Sequence, residues 1–244
     1  MSRVLFGISL LCALAGMARA DDLVAFLAAA GDAARPSAPI RADGELVTTS
    51  PEATTRQQIA IVQRPSGDLY LELRPSGARA LLPASGAAVL SPAAGTAAAR
   101  FALDAPVAAS EFSGEDLLPF SPARFGSPTI VDRNGGEVTV SLDPLEPSQY
   151  SLEVITFDRE RRAPVKVMVY KETLNNLLKM RRDTDLVQVG GRWRPTTVTI
   201  ENFPLRSSST LSLRWSETPD QPALFDPKTW SQPSPLTFPP AAAK

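Results

Sequence analysis

The stretch DLYLELR, Asp68 to Arg74, puts Leu69, Leu71 and Leu73 on one side of an extended chain and Tyr70, Glu72 and Arg74 on the other. A period of two marks a β-strand with one dry and one wet face. The same alternation returns in TRQQIAIVQ, TIVDRNGGEVTVSLD, SQYSLEVITFDRE, APVKVMVYKE, RWRPTTVTIEN and STLSLRWSE, and ADGELVTTS reads as a first strand. Tight-turn signals separate these runs: Pro65-Ser66-Gly67, Pro75-Ser76-Gly77, Asn134-Gly135 and Gly190-Gly191. Strands joined by such short turns pair antiparallel, and no alternation of strand and helix suggests a parallel sheet. The 23 prolines keep turns frequent and helices few.

Two helical pieces interrupt the pattern. Asp21 and Asp22 can cap a short amphipathic helix with Leu23, Phe26, Leu27 and Ala30 on one face and Gly31 at its end. In FSGEDLLPFSP, Ser113 and Asp116 have capping-box spacing. Glu115 and Asp116 then serve the helix dipole ahead of any paired-carboxylate chemistry. From Ala84 to Ala109 the sequence thins to Ala, Ser, Gly and Pro, with room for short strands at Ala87–Leu90 and Ala98–Leu103. TLNNLLKMRRD fits a helix turn or another strand, and PALFDPKTW reads as a closing loop anchored by Phe225 and Trp230. The expected class is α+β: a curved antiparallel sheet with helices on one face.

The first twenty residues read as a secretory signal: Arg3, an apolar run from Val4 to Met17, then Ala18-Arg19-Ala20 as a cleavage site. The run is short for a bilayer span. Leu11, ahead of Cys12, is too large for a lipidation site. The expected organisation is a signal over residues 1–20, one domain over 21–230 and a poorly ordered Pro- and Ala-rich tail over 231–244. Cleavage after Ala20 removes the one cysteine, and the sequence has no histidine. Ser-His-Asp triads, Cys nucleophiles and His- or Cys-based zinc sites are thereby excluded from the mature protein. Without Arg3 and Arg19 the basic count falls from 25 to 23 against 26 acids, a net charge of −3 that disfavours nucleic acid.

Several blocks, in order, resemble one family. Gly191, Trp193, Pro195 and Asn202 match a G-x-W-x-P…N block, and Leu224, Phe225 and Pro227 a closing one. EFSGEDLLPF resembles a central segment of the pattern D-x-x-x-E-D-L, with Glu111 where Asp is usual. Tyr150, Asp158, Pro164, Lys166 and Tyr170 fit a further stretch. These resemble the outer-membrane lipoprotein-sorting proteins related to the periplasmic carrier LolA, most clearly from Glu111 to Trp230. Ala84–Ala109 departs from the family in being poor in aromatic residues, with Phe101 alone. The resemblance implies an incomplete, half-open β-barrel with a helical lid, located in the periplasm and holding acyl chains of lipids or lipoproteins. It also implies delivery partners such as an inner-membrane transporter or an outer-membrane acceptor. Relatives of the carrier include sensors that regulate partner proteins, so an accessory or regulatory role on the same scaffold stands as the alternative.

The expected cavity set is Ile59, Ile61, Leu69, Leu71, Leu73, Val138, Val140, Val198, Ile200, Leu211 and Leu213, with Trp193 and Trp215 at its rim. The competing reading of the aliphatic positions is plain core, and of the tryptophans, packed rings with satisfied N–H groups. The basic runs Arg159/Arg161/Arg162 and Lys179/Arg181/Arg182 read as solvated turns, or else as docking points for lipid phosphates or an acidic partner. No cofactor and no catalytic group is expected, and a monomer that does not span the membrane fits best.

Overall fold

The computed structural model describes residues 22–145 and 148–238; the expected signal segment lies outside them. A helix, α1, occupies 22–33. Six strands follow: β1 (Ile40–Thr49), β2 (Thr54–Gln63), β3 (Leu69–Arg74), β4 (Arg79–Leu82), β5 (Val89–Ser91) and β6 (Ala99–Arg100). The short helix α2 (Gly114–Leu117) and a 3-10 turn (Pro122–Arg124) lead to β7 (Phe125–Asn134), β8 (Glu137–Pro144), β9 (Leu152–Asp158) and β10 (Ala163–Tyr170). The last strands are β11 (Leu177–Val189), β12 (Arg192–Asn202) and β13 (Ser207–Glu217). All thirteen form one antiparallel sheet ordered β6-β5-β4-β3-β2-β1-β13-β12-β11-β10-β9-β8-β7, not closed on itself.

The sheet is thus two meanders sewn together by β1 and β13. At that seam Gly44 opposes Leu213, and a Cβ on Gly44 would stand 1.9 Å from the Ser212 carbonyl oxygen. Only a glycine lets the backbones approach so closely. The two edges, β6 and β7, are blunted: β6 has two residues, and β7 carries Pro128 and two register shifts against β8. Because β6 and β7 are consecutive in sequence yet lie at opposite edges, residues 101–124 must cross the mouth of the barrel. Topology alone makes this segment a strap.

The inner face is covered by two packed patches. Val107 and Phe112 of the strap pack on Ile59, Leu71, Leu73, Val198, Ile200 and Leu211, with Leu117 and Leu118 beside them. Leu23, Leu27 and Ala30 of α1 pack on Val138, Val140, Leu142, Ile155 and Phe157. Phe26 and Phe120 meet the Phe157 ring edge-on at 5.6 and 5.0 Å.

Two expectations need correction, and one open alternative closes. The side of β3 expected to be wet is dry: Tyr70 and Glu72 are fully buried, because residues 222–238 fold back over the outer face of β2–β4. Leu224, Trp230 and Leu236 fill that layer, and buried Arg79 binds the Trp230 and Gln232 carbonyls at 2.8 and 3.1 Å. The start of the expected loose tail is therefore packed as far as Phe238. The open question over TLNNLLKMRRD resolves as a turn followed by β11.

Candidate functional site

Alternation along β11 turns Lys179, Arg181 and Asp183 to the inner face, where charge is costly unless paired. They are paired, and the partners are the strap. Lys179 Nζ reaches Asp116 at 3.1 Å and the Glu111 carbonyl at 2.8 Å. Arg181 grips Asp183 through two bonds of 2.6 and 2.7 Å and donates to the Asp116 carbonyl. Burial opposes the Arg181 charge, but Asp183, with Asp116 and Glu153 behind it, holds its pKa above the ordinary value. The run expected to be a solvated turn is therefore a latch. Arg182 alone points outward, to Glu201 at 2.6 Å.

Residues from separate sequence blocks converge on the same strap. Asn202 and Ser207 donate to the Glu111 carboxylate at 2.7 and 2.6 Å. The Tyr150 hydroxyl donates to Asp116 at 2.8 Å, while Asp116 closes the capping box with Ser113. Burial, then the Asp116 charge, pushes the Tyr150 pKa upward, so the hydroxyl stays a donor. Ser148 and Gln149 donate to Glu115, whose pKa burial raises. At the other side, Arg194 of β12 donates to the Ala33 and Ala34 carbonyls at 3.2 and 2.9 Å, capping the C-terminal end of α1. Burial, with Arg192 nearby, lowers Arg194 to about 10. The Gly190-Gly191 turn, with both residues at positive φ, carries the carbonyl that accepts from the Ser37 hydroxyl at 2.8 Å.

Between latch and strap lies a half-enclosed hollow. Leu69 of β3 and Ile155 of β9 both line it. They sit seven strand spacings apart, about 34 Å on a flat sheet, so the sheet is curled around the hollow. Its floor is aliphatic: Ile61, Leu69, Val198, Ile200, Leu211 and Leu213. Its other end is charged, with Glu153 and Arg124 beside the latch.

Eight of the thirteen expected residues line this hollow: those six aliphatics, with Trp193 and Trp215. Trp215 satisfies both readings, lining the space while its Nε1 donates to the Pro195 carbonyl at 2.8 Å. Trp193 sits at the mouth with the Arg161 guanidinium 4.8 Å over its ring. The remaining five are core. Ile59, Leu71 and Leu73 lie under the strap, and Val138 and Val140 under α1. Residues missed from the sequence are Val167, Val169, Leu117, Leu118 and the charged group Glu153. For Glu153 a signal existed: it shares the strand face of Ile155 and Phe157.

A curled, unclosed antiparallel sheet with a strap and helix over an amphipathic hollow defines a half-open, LolA-like barrel. Three solved structures share it: an outer membrane lipoprotein-sorting protein domain from Vibrio parahaemolyticus (TM-score 0.71, 18% identity, 84% of this chain and 97% of that one); a DUF1329 family protein from Desulfovibrio piger (0.72, 15%, 84% and 96%); and a LolA superfamily protein from Nitrosomonas europaea (0.65, 14%, 82% and 96%). No protein-family model and no curated protein matches the sequence. At these identities the likeness speaks for the fold.

Proposed function

We propose that the protein is a non-enzymatic periplasmic carrier that holds the acyl chains of a lipid or lipoprotein in the hollow for passage to the outer membrane. The observation that carries this reading is the aliphatic floor, Val198, Ile200, Leu211 and Leu213, which borders the half-enclosed hollow beside the strap. An acyl chain of about fourteen methylenes gains on the order of 11 kcal/mol on leaving water. That suffices for carriage without any reactive group. Among the described residues no helix is long and apolar enough to cross a membrane. The lipoprotein-sorting and LolA names of the structural neighbours accord with the reading.

Native mass spectrometry after gentle purification tests it. The wild type is expected to carry lipid-sized adducts that Val198→Glu loses while remaining folded. A lipid-free wild type that captures one membrane partner would instead favour the accessory role.

A further inference from the structure

The charged end of the hollow holds more groups than the latch uses. Asp183 is taken by Arg181, Asp116 by Lys179 and Tyr150, and Glu115 by Ser148 and Gln149. Two groups remain. Glu153, 8% exposed, lines the hollow, and no hydrogen bond or ion pair engages its carboxylate among the described residues. Arg124 lines it too; its guanidinium meets the Phe125 ring at 5.8 Å and no carboxylate among the described residues. The two do not form an ion pair with each other, although Arg124 is close enough to act on the charge of Glu153.

A buried carboxylate without a partner is expensive, and a ligand that supplies a cationic donor removes the cost. A purely anionic ligand would satisfy Arg124 but add a negative charge where Asp116 and Glu115 already face Glu153. A ligand of both signs uses both groups. We propose that Glu153 and Arg124 form a headgroup site: the hollow takes a zwitterionic amphiphile whose ammonium docks on Glu153 and whose phosphate docks on Arg124, its acyl chain lying along Val198, Leu211 and Leu213. This rests on the carrier reading and names its cargo class.

Titration supports the assignment. Burial, ahead of every charge, pushes Glu153 up to about 7; Arg124 and Arg181 pull it down, while Asp116 and Glu115 push it further up. An ammonium prefers the ionised form, so affinity for such a headgroup rises with pH across neutrality.

The test uses the full-length protein, stripped of co-purified lipid. It is titrated calorimetrically with palmitoyl lysophosphatidylethanolamine and palmitoyl lysophosphatidylglycerol, both kept below micelle formation. The wild type is expected to prefer the ethanolamine lipid roughly tenfold, more so at about pH 8 than at about pH 6. Glu153→Gln is expected to abolish that preference by weakening the ethanolamine lipid, with the glycerol lipid bound as well as or better than by the wild type, and Arg124→Gln to weaken both lipids alike. Equal binding of the two lipids by the wild type, or a preference that survives in Glu153→Gln, overturns the headgroup site and leaves the carrier reading standing. A wild type that binds neither lipid overturns both.

Discussion

At the scale of residues, Glu153 has a consequence that needs no ligand. Burial raises its folded-state pKa from 4.5 to about 7. The folded protein therefore holds that proton more tightly than the unfolded one. With the carboxyl protonated in both states there is no penalty; as pH rises from the unfolded to the folded pKa, stability falls, and above about 7 the loss is complete at about 3 kcal/mol. Glu153→Gln should recover up to that amount in urea unfolding at about pH 8 and almost nothing at about pH 4. A variant that is less stable than wild type at both pH values would contradict the assignment. Such residues are hard to read from sequence. The alternation in LEVITFD places Glu153 beside Ile155 and Phe157 on the inner face, but only the strand order, with β9 and β11 flanking β10, and the end of the strap bring Arg181 and Arg124 near it.

Among elements, the strands were the most legible, because turn residues bracket each alternating run: Asn134-Gly135 at the β7–β8 tip and Gly190-Gly191 between β11 and β12. What covers each face was less so. The period of two says that Tyr70 and Glu72 share a side, not that a distant segment will land on it. Trp230 does land there, 2% exposed, edge-on to Tyr70 at 5.6 Å and donating its Nε1 to the Leu224 carbonyl at 3.0 Å. Truncating a buried aromatic anchor of this kind costs about 3–5 kcal/mol. Trp230→Ala should therefore lower stability by that order. It should also raise hydrogen exchange along β2–β4 before β9–β12. A uniform rise across the whole sheet would count against the outer layer being a separable cover. The basic run of β11 makes the same point on the inner face: Lys179 and Arg181 look like surface charges until the strap supplies Asp116 and the Glu111 carbonyl.

On the scale of the whole molecule, curling the sheet brings together what the sequence keeps apart. Alternation alone cannot separate a filled core from an empty one, which is why Leu71, Leu73 and Val140 carry the same sequence signal as Val198 and Leu211. All five are buried, and only the closed-up arrangement of strap, α1 and sheet decides that Val198 and Leu211 border the hollow while Leu71, Leu73 and Val140 do not. The central claim is that this space, and not the outer surface, receives an acyl group. A lipid carrying a photoreactive diazirine near the end of its acyl tail tests it most directly: after irradiation, the labelled peptides are mapped by mass spectrometry. Labels on Val198–Ile200 and Leu211–Trp215 are predicted; labels confined to the exposed apolar residues Leu174, Phe203 and Leu205 would contradict the account.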